Sequence, residues 1–468
     1  MNSDIKDIIN FTKKIKPKIL NFRTIFSFSS KDNCKGKIMI LIVTSNKNIY
    51  EYINESLKKG ADGIIVSIPI NKELLARNVP VFYTNYLNTN FNKFLDYIYN
   101  KPLKNKNIIG ITGTDGKTST CHLLANSLSK LGKKVGIIST EGNGIYPRLK
   151  PSSYTTPRSD ILYKLFDKFR KNNVEVIFIE CSSQGLHQGR LDNIIFNDAI
   201  ITNLNRDHIE YHQTFKKYAE SKLKLLKMTK GNIFINQNCK NSISVFSSIK
   251  KSKTIFYGTK KDLINAHRLI DRPDTSGDMI SQYNSSLLYK FLHTKGYSLK
   301  NIKTIINART KKIKGRMNYI NDKNNNAVYI VDYAHTEYAM TLLLRYAKIK
   351  TSKSFLITVF GCGGNRDRGK RSKMGIVAKK YSDKIILTDD NPRGEKSADI
   401  LKDIHEKIKD KSNILIIPNR KRAIKTAYSM STKECVIVLA GKGNEDHITY
   451  HNKRLNHNDI DYLKTLIR

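Results

Sequence analysis

Short runs of apolar, mostly β-branched residues alternate along the chain with longer segments of helical pattern. In the first hundred residues this pattern predicts a helix over 5–18, a strand over 37–43, a helix over 48–58 and a strand over 63–67. Gly60 follows the second helix, at a position where helices often end. Helices that alternate with strands in this way are typical of an α/β fold.

The same alternation continues to the end of the chain, and polar or glycine-containing loops follow its strands. Continuous apolar strands separated by helices predict a parallel sheet that is covered on both faces. Ligands of such sheets bind beyond the carboxyl ends of the strands. The predicted elements are strands over 108–112, 135–139, 174–180, 199–202, 232–235, 328–331, 354–360, 384–388, 414–417 and 435–439, and a helix over 118–131 that ends before Gly132.

Three domains are predicted from these patterns, within the range expected for 468 residues. Residues 101–107 are polar and contain a proline, which indicates a linker after the first unit. We therefore expect an α/β protein with an N-terminal domain over 1–104 and a central domain with a P-loop-type parallel sheet over 105–313. A C-terminal Rossmann-like domain is expected over 314–468.

Composition excludes several classes of protein. No apolar run approaches the roughly 18 residues that a membrane-spanning helix needs. The first residues lack a basic stretch followed by an apolar core, so we do not expect a secretory signal peptide. The six cysteines form no C-x-x-C pair and are widely spaced, which argues against a zinc site and a disulfide framework. A reduced, cytoplasmic protein without membrane contact is expected.

The chain is strongly basic, with 83 Lys and Arg residues against 40 Asp and Glu residues and a formal net charge of +43. Such a charge can indicate a nucleic-acid or anionic-membrane partner. The lysines are evenly spread, however, asparagine and isoleucine are abundant, and no nucleic-acid-reading motif accompanies them. We favour the interpretation that an AT-rich genome encodes many lysines on solvated faces, and we expect a monomer with no specific nucleic-acid partner.

A glycine-rich loop at 113–118, Gly-Thr-Asp-Gly-Lys-Thr, stands between a predicted strand and a predicted helix. Its glycines let backbone N–H groups approach phosphate oxygens, and the helix N-terminus adds positive potential. Lys117 can reach the β- and γ-phosphates, and the Thr118 hydroxyl can bind Mg²⁺. The strict G-x-x-x-x-G-K-[ST] pattern fails at one position, where Ile111 stands. The order of strand, Gly-Lys-Thr and helix still favours a phosphate site over a chance turn.

Further polar side chains follow the next strands. Glu180 ends the strand over 174–180, where a Mg²⁺ ligand beside a phosphate loop would lie, although a plain loop carboxylate fits that position equally well. Four polar residues crowd behind the following strand and favour a polar site over a single structural histidine. They are Asp207, His208, Glu210 and His212. Taken alone, Lys222 is a surface lysine.

Eight motifs, in one order between residues 108 and 445, together resemble those of the Mur ligases. They are TGTDGKT (112–118), ECSSQGL (180–186), TNLNRDHIEYH (202–212), GRM (315–317), VDYAHT (331–336), FGCGGNRDRGKR (360–371), DDNPR (389–393) and AGKG (440–443). The resemblance is strongest to the members that add the third amino acid to UDP-N-acetylmuramoyl-L-alanyl-D-glutamate. It implies a bacterial enzyme of cytoplasmic peptidoglycan precursor synthesis.

The resemblance implies an ATP-dependent ligase that makes an amide bond. ATP phosphorylates a carboxylate of the UDP-muramoyl-dipeptide, and an amine then attacks the acyl phosphate. Because two anions must meet, Mg²⁺ and lysine are needed to neutralise charge. In this scheme the N-terminal domain binds the uridine nucleotide substrate, the central domain binds ATP, and the C-terminal domain binds the amino acid.

The resemblance also assigns residues. The implied catalytic residues are Lys117, Glu180, His208 and Lys222. Thr118 and Glu180 would hold one Mg²⁺, and His208 and Lys222, carbamylated to N6-carboxylysine, would hold or orient a second. The implied ATP-binding residues are Gly113, Thr114, Asp115, Gly116, Lys117, Thr118, Asn284, Arg316, Asp332 and His335. The implied UDP-muramoyl-dipeptide-binding residues are Ser30, Thr155, Thr156, Ser182 and Arg190.

The choice of amino acid is implied by the Asp-Asn-Pro-Arg sequence at 390–393, which in the family marks ligases that use meso-diaminopimelate rather than lysine. Diaminopimelate carries an extra carboxylate, which Arg393 and Arg366 can clamp, and an extra amine, which Glu445 can bind. The implied set is Arg366, Asp390, Asn391, Pro392, Arg393, Gly441 and Glu445. A mere Asn-Pro turn is the alternative, but it leaves the adjoining arginine unexplained.

Other functions remain possible on the sequence alone. A lysine-adding ligase or a folylpolyglutamate-type ligase would share most motifs, but Arg393 argues against the first and the loop at 154–157 against the second. A decayed relative that binds nucleotide or nucleic acid through its basic surface is a third hypothesis. The presence of all five expected residues argues against decay, namely Lys117, Glu180, His208, Lys222 and Arg393.

Overall fold

The structure is a computed structural model that describes residues 2–18, 21–42, 48–246, 254–270, 279–308, 313–322, 327–350, 355–431, 435–451 and 453–467. The chain divides into two compact units. The first consists of 1–106, 157–174 and 188–194, and the second of 107–156, 175–187 and 195–468. The boundaries of the three sequence domains stay a prediction.

Twenty strands form four sheets in the described part of the chain. The strands are β1 Phe26–Ser27, β2 Ile38–Leu41, β3 Gly63–Val66, β4 Val81–Tyr83, β5 Asn107–Thr112, β6 Val135–Ser139, β7 Gly142–Ile145, β8 Arg148–Lys150, β9 Val176–Glu180, β10 Asp198–Ile201, β11 Ile233–Asn236, β12 Thr254–Tyr257, β13 Asn318–Asp322, β14 Ala327–Asp332, β15 Leu356–Phe360, β16 Lys384–Leu387, β17 Ile414–Ile416, β18 Val436–Ala440, β19 His447–Tyr450 and β20 Lys453–Asn456.

Seventeen α-helices connect or cover these strands within the described residues. The helices are α1 Ser3–Ile15, α2 Ile49–Lys58, α3 Tyr86–Ile98, α4 Lys117–Lys130, α5 Ser159–Lys171, α6 Ser183–His187, α7 Ile209–His212, α8 Phe215–Lys227, α9 Lys240–Phe246, α10 Lys260–Arg268, α11 Met279–Thr294, α12 Leu299–Asn307, α13 Glu337–Lys350, α14 Arg371–Tyr381, α15 Ser397–His405, α16 Arg420–Ser429 and α17 Asp459–Ile467. None of the helices described is long and apolar enough to cross a membrane.

The first unit contains a parallel four-stranded sheet in the order β1-β2-β3-β4. Helix α2 buries Ile53 and Leu57 against Met39 and Ile64 of the sheet core. The spacing of four residues between Ile53 and Leu57 places both side chains on one face of the helix. Helix α5 belongs to this unit although its sequence lies between β8 and β9.

The second unit is built on two larger sheets. The first has the order β12-β11-β10-β5-β9-β6-β7-β8, in which the six strands from β12 to β6 are parallel and β7 and β8 are antiparallel. The second has the order β13-β14-β18-β15-β16-β17, in which only β13, among these strands, runs antiparallel to its neighbour. Polar loops at the carboxyl ends of β5, β9 and β10 converge at one edge of the first sheet, because these three strands are parallel neighbours.

Both faces of the second sheet are covered, as the continuous apolar strands predict. Along β14, Ile330 faces one apolar cluster, whereas its neighbours Tyr329 and Val331 face another. Along β18, Val438 belongs to the first cluster and Leu439 to the second. Successive side chains of a strand point to opposite faces, so each strand is buried on both sides.

The α/β prediction is confirmed, and the predicted strands and helices coincide with observed ones within a few residues. The first helix ends at Ile15 rather than at residue 18. Val43 and Ser354, which the predicted strands included, lie outside the described residues. The antiparallel strands β7 and β8 were not predicted, because this segment has no continuous apolar run. In β7, Gly144 has a φ of +151° and a Cβ there would lie 2.9 Å from the carbonyl oxygen of Arg148, so the hairpin requires glycine.

Candidate active site

The glycine-rich loop between β5 and α4 adopts the conformation that its two glycines allow. Gly113 has a φ of +151°, and a Cβ there would lie 1.9 Å from the Thr202 hydroxyl oxygen. Gly116 has a φ of +80° and stands directly before the first turn of α4. Lys117 Nζ donates to the carbonyl oxygens of Gly113 at 2.9 Å and Thr114 at 2.8 Å. The loop therefore curves around the ammonium group of this lysine.

Asn203, just beyond β10, holds the loop in place. Its Oδ1 accepts the backbone N–H of Thr114 at 3.1 Å and that of Asp115 at 2.9 Å, while its Nδ2 donates to the Asp115 carbonyl oxygen at 3.0 Å. The Asp115 carboxylate accepts the Thr336 hydroxyl at 2.9 Å. These bonds fix the loop from two sides.

Glu180, at the end of β9, is fully buried beside this loop. Its Oε2 accepts the Thr118 hydroxyl at 3.2 Å and the Thr140 hydroxyl at 3.2 Å, and its Oε1 accepts the Thr140 N–H at 3.1 Å. Burial raises the pKa of Glu180, although the nearby Lys117 ammonium opposes this rise. A carboxylate and hydroxyl oxygens in contact are the ligand types that Mg²⁺ prefers.

These oxygens therefore fit a Mg²⁺ ion that is bound through few protein ligands. No group of three or more His, Cys, Asp or Glu side chains in the described part of the chain is placed to hold a metal. Mg²⁺ usually keeps several waters and is bound through one or two carboxylates and the phosphates of a substrate. Thr118 and Glu180 match that kind of site.

A cavity of about 310 Å³ opens above the loop. Nine of the ten residues that the resemblance assigned to ATP line it. These are Thr114, Asp115, Gly116, Lys117, Thr118, Asn284, Arg316, Asp332 and His335. The Asp332 carboxylate accepts the backbone N–H groups of Met317 and Ala334, both at 2.8 Å. A carboxylate has about four acceptor positions, so it retains capacity for hydroxyl donors in the cavity.

Lys222, on α8, is almost completely buried beneath the glycine-rich loop, with 1% exposure. Its Nζ donates to the Gly113 carbonyl oxygen at 2.6 Å and lies 4.7 Å from the centre of the Tyr218 ring. Within the described residues it makes no ion pair with a carboxylate. Burial and the nearby Lys117 ammonium hold the pKa of Lys222 well below its usual value. This environment favours a neutral amine.

His208 lies near the same tyrosine as Lys222, with 6.5 Å between the centres of the His208 and Tyr218 rings. His208 also lines the cavity. Its Nε2 is 3.4 Å from Asp207 Oδ2, and its Nδ1 is 3.4 Å from Glu210 Oε1. The structure thus brings His208 and Lys222 to the same part of the site, beside the phosphate loop.

Two arginines converge beyond the carboxyl ends of β15 and β16. Arg393 has a φ of +53° and is held by a backbone bond to Thr449 at 2.9 Å, and its Nη1 donates to the Gly364 carbonyl oxygen at 2.9 Å. Burial and the nearby Arg366 guanidinium lower the pKa of Arg393. In the described structure Arg393 has no carboxylate within ion-pair distance. Two neighbouring guanidinium groups of this kind favour an anion between them.

An acidic and amide cluster, which contains Glu445 and Asn391, lies beside these two arginines. The cluster and the arginines together form the second group of residues in the site. Glu445 Oε2 accepts from Asn391 Nδ2 at 2.8 Å and from Lys442 Nζ at 2.6 Å. Burial would raise the pKa of Glu445, but the Lys442 ammonium holds that pKa below its ordinary value. Gly441 has a φ of +102°, and a Cβ there would lie 2.6 Å from Asp390 Oδ2. Glycine is therefore required where this loop passes the carboxylate.

Tyr333 connects the residues around the glycine-rich loop to the second group, which contains Arg393 and Glu445. The Arg316 guanidinium lies 4.3 Å from the centre of the Tyr333 ring. The Tyr333 hydroxyl donates to Glu445 Oε1 at 3.2 Å. Because Tyr333 also lines the cavity, the acidic cluster and the phosphate loop belong to one continuous site.

Comparisons with known proteins give this site a family. The family model described as Mur ligase middle domain matches residues 111–321, and that described as Mur ligase, glutamate ligase domain matches 315–443. A protein of Wigglesworthia glossinidia brevipalpis named UDP-N-acetylmuramoyl-L-alanyl-D-glutamate--2,6-diaminopimelate ligase is 34% identical over 462 residues, which cover 91% of each chain. The chain belongs to the Mur ligase family.

Solved structures agree with the fold of a Mur ligase. The solved structure titled UDP-N-acetylmuramoyl-L-alanyl-D-glutamate--2,6-diaminopimelate ligase aligns with this chain at a TM-score of 0.58 and 24% sequence identity. The alignment covers 97% of this chain and 98% of that chain. The MurF ligase of Thermotoga maritima, in complex with ADP, has a TM-score of 0.59 and 15% identity, with 95% and 96% covered. Because both sequence identities are below 25%, these structural similarities show the fold alone, which is the three-domain α/β architecture of the Mur ligases.

The residues predicted for the UDP-muramoyl-dipeptide fall in both units of this Mur ligase. In the first unit, the Ser30 carbonyl oxygen accepts from Lys59 Nζ at 2.6 Å, and the Arg190 carbonyl oxygen accepts from a serine hydroxyl at 3.2 Å. In the second unit, Thr155 lines the cavity. Thr156 and Ser182 are hydrogen-bonded to each other beside Glu180. Their role toward substrate stays a prediction.

Several residues of the site were not predicted from the sequence. Asn203, Tyr333 and Lys442 stand inside the family motifs, but the motifs alone indicate no contact for them. Thr140 directly follows β6, at the same sheet edge as Glu180. The rule that ligands bind at the carboxyl ends of strands would have found Thr140.

Arg420 stabilises the two loops that contain Asp390 and Gly441. It forms an ion pair with Asp459 in which neither side chain is exposed, with Nη2 2.6 Å from Oδ2. The same guanidinium donates to the carbonyl oxygens of Asp389 at 3.2 Å and Ala440 at 3.0 Å. These carbonyls immediately precede Asp390 and Gly441.

Replacing Arg420 by methionine should lower the free energy of unfolding by about 3 kcal/mol, because the buried Asp459 carboxylate would lose its guanidinium partner and keep only His457 Nε2, at 2.7 Å from its Oδ1. The measurement is the midpoint of thermal unfolding of the full chain. Arg422→Met, an exposed position of the same helix, is the control and should leave the midpoint unchanged. Equal midpoints for the two variants would contradict the stabilising role of the buried pair.

Proposed function

We propose that the chain is an ATP-dependent amide ligase that adds meso-2,6-diaminopimelate to UDP-N-acetylmuramoyl-L-alanyl-D-glutamate in cytoplasmic peptidoglycan precursor synthesis. The observation that carries the proposal is the pair Arg366 and Arg393 beside Glu445, in one site with a phosphate-binding loop. The Wigglesworthia relative has a name that states the same reaction. A basic and an acidic subsite suit the carboxylate and the ammonium at the far end of diaminopimelate.

The reaction begins with transfer of the γ-phosphoryl group of ATP to a carboxylate of the UDP-muramoyl-dipeptide. A carboxylate oxygen attacks phosphorus, the bond to ADP breaks, and an acyl phosphate forms. Lys117, the loop N–H groups and Arg316 neutralise the charge that develops on the phosphoryl oxygens. Asp332 and His335 also line the cavity. The Asp332 carboxylate can accept hydrogen bonds from the ribose hydroxyls, and the His335 ring can exchange hydrogen bonds with them.

The second half of the reaction forms the amide. The amine of diaminopimelate attacks the carbonyl carbon of the acyl phosphate, loses a proton, and the carbon–oxygen bond to phosphate breaks. Arg393 and Arg366 would bind the distal carboxylate, and Glu445 the distal ammonium. This clamping orients the attacking amine at the other end of the molecule.

We infer that ATP and Mg²⁺ are the nucleotide and metal of this reaction. The Thermotoga maritima ligase is in complex with ADP, which supports nucleotide binding by the shared fold. Thr118 and Glu180 would hold Mg²⁺, and His208 with Lys222 would hold or orient a second ion. The metal supplies positive charge where the phosphoryl group is transferred.

The direct test is to incubate the full chain with ATP, Mg²⁺ and UDP-N-acetylmuramoyl-L-alanyl-D-glutamate and to offer meso-diaminopimelate or lysine. Formation of the tripeptide product with diaminopimelate at a much higher kcat/KM than with lysine is expected. A preference for lysine would overturn the amino-acid assignment. No product with either amino acid, together with steeply salt-dependent nucleic-acid retention in a filter assay, would favour a nucleic-acid-binding protein.

Lys222 is proposed to be carbamylated on Nζ. Its ammonium would be buried without an acidic partner in the described structure, whereas a carbamate would turn it into an oxygen ligand facing the phosphate site. The amine lone pair attacks the carbon of CO₂ and one proton leaves the nitrogen, which creates a carboxylate-like group.

The expected result is a carbamate carbon resonance when the protein is equilibrated with ¹³C-labelled bicarbonate. The Lys222→Ala variant should lack this resonance and lose ligase activity, and acetate should restore part of the activity by filling the anionic position. The exposed Lys133→Ala variant is the control and should keep both properties. Full activity of wild type with an unmodified ammonium in a high-resolution structure would refute the carbamate.

A further inference from the structure

Three ion pairs connect two short segments of the second unit. The first, which we call the histidine segment, is 206–210 and contains His208. The second, which we call the arginine segment, is 366–370 and contains Arg366. The pairs are Arg206 with Asp367, Asp207 with Lys370, and Glu210 with Arg366. The histidine segment follows β10, and the arginine segment follows β15. The ion pairs therefore connect loops at the carboxyl ends of strands that belong to two different sheets.

The Arg206–Asp367 pair has the geometry of a specific contact. Arg206 Nε lies 2.8 Å from Asp367 Oδ2, and Nη2 lies 3.2 Å from Oδ1, which makes the pair bidentate. The Asp367 side chain is only 4% exposed. A Cβ at Gly369 would lie 2.9 Å from Arg206 Nη2. The absence of a side chain at Gly369 therefore makes room for the guanidinium.

The Asp207–Lys370 pair is almost completely buried. Lys370 Nζ lies 3.2 Å from Asp207 Oδ1, and neither side chain is more than 8% exposed. Asp207 Oδ2 lies 3.4 Å from His208 Nε2 and 3.7 Å from His335 Nε2. A lysine of the arginine segment thus contacts a carboxylate that lies beside two histidines of the nucleotide cavity.

The third pair is looser, since Arg366 Nη1 lies 3.8 Å from Glu210 Oε1 and the arginine side chain is 45% exposed. Its guanidinium is consequently able to turn to a substrate carboxylate.

We propose that Arg206 and Lys370 are positioning residues for the ligation step. Their ion pairs hold the histidine segment against the arginine segment, so that the diaminopimelate bound by Arg366 and Arg393 meets the acyl phosphate formed beside His208. The inference rests on the ligase activity proposed above. Without this contact, water reaches the acyl phosphate before the amine does and hydrolyses it to carboxylate and phosphate.

The test is a double-mutant cycle with Arg206→Met, Asp367→Asn and the combination. Asparagine at 367 keeps an oxygen for the Gly369 N–H, which Asp367 Oδ1 accepts at 2.9 Å. Each single change should lower kcat/KM for diaminopimelate about ten-fold, the low end for a close charge pair because Arg206 is half exposed. The combination should also lose about ten-fold rather than the roughly hundred-fold of independent changes.

The second readout is the number of phosphates released per amide formed. This ratio should be close to one in wild type and should rise in all three variants, which a general loss of folded protein would not cause. The matched control is Arg368→Met, because Arg368 stands in the same segment but pairs with Asp403 of α15. It should leave kcat/KM and the ratio unchanged.

The charge-reversed variant, which combines Arg206→Asp with Asp367→Arg, gives a further check. Its kcat/KM is compared with that of each of these two single reversals. Recovery toward wild type would support the pair. Additive losses, unaffected single variants or an unchanged phosphate-to-amide ratio would each overturn the inference. A wild-type chain without ligase activity would instead remove the proposed function, and the inference with it.

Discussion

Replacing Lys117 by alanine is expected to lower the ligation rate by about 10²–10³-fold, the usual cost of removing one preorganised electrostatic contact from a transition state. Lys117 Nζ is held by two carbonyl oxygens of its own loop, so its charge is already in place before nucleotide binds. The change should appear in kcat more than in folding, because the side chain lies in the cavity and not in an apolar core.

The measurement is the steady-state rate of amide formation at saturating ATP, with thermal unfolding as a check of the fold. Lys133→Ala is the control, since Lys133 is an exposed lysine that pairs with Glu175 at 2.8 Å. It should keep the wild-type rate. A Lys117→Ala enzyme that retains more than half of that rate would show that the loop does not bind the transferred phosphoryl group.

The phosphate side of the site was predictable because local sequence and topology determine it together. A strand, a glycine-rich turn and a helix place Lys117 and Thr118 at a fixed position. Parallel pairing of β5 with β9 then brings Glu180 beside them. The rule that strand ends carry ligands is sufficient to propose these contacts from the order of residues alone.

The connections between distant segments were not predictable in the same way. Lys442 and Lys370 are lysines in a chain with many lysines, and nothing in their local sequence distinguishes a buried ammonium from a solvated one. Lys370 is buried against Asp207, an acceptor that its local sequence does not reveal. Lys442 has an acceptor three positions later in Glu445, but that spacing alone does not indicate burial. The same holds for Arg420, whose partner Asp459 follows 39 positions later.

The antiparallel edges were missed for a different reason. Strands β7 and β13 lie at or near the ends of their sheets and need no continuous apolar run. Residues of β13 such as Tyr319 and Ile320 are partly exposed, and an apolar-run criterion recognises strands that are buried on both faces. The central strands and the parallel edge strand β17 were therefore found, and the antiparallel strands β7, β8 and β13 were not.

Replacing Arg393 by alanine should lower kcat/KM for meso-diaminopimelate by roughly 30-fold to several thousand-fold, the range that corresponds to about 2–5 kcal/mol for truncating one partner of a buried charge pair. The loss with lysine should be much smaller, because lysine lacks the distal carboxylate that Arg393 and Arg366 would bind. The KM for ATP should change little, since Arg393 does not line the nucleotide cavity.

The decisive comparison is kcat/KM for both amino acids in wild type, Arg393→Ala and Arg366→Ala. Since both arginines would bind one carboxylate, the double variant should lose less than the sum of the single effects. Arg454→Ala, at an exposed position of β20, is the control and should preserve the preference for diaminopimelate. Equal losses for diaminopimelate and lysine would mean that Arg393 supports the loop through its bonds to Gly364 and Thr449 and does not select the substrate.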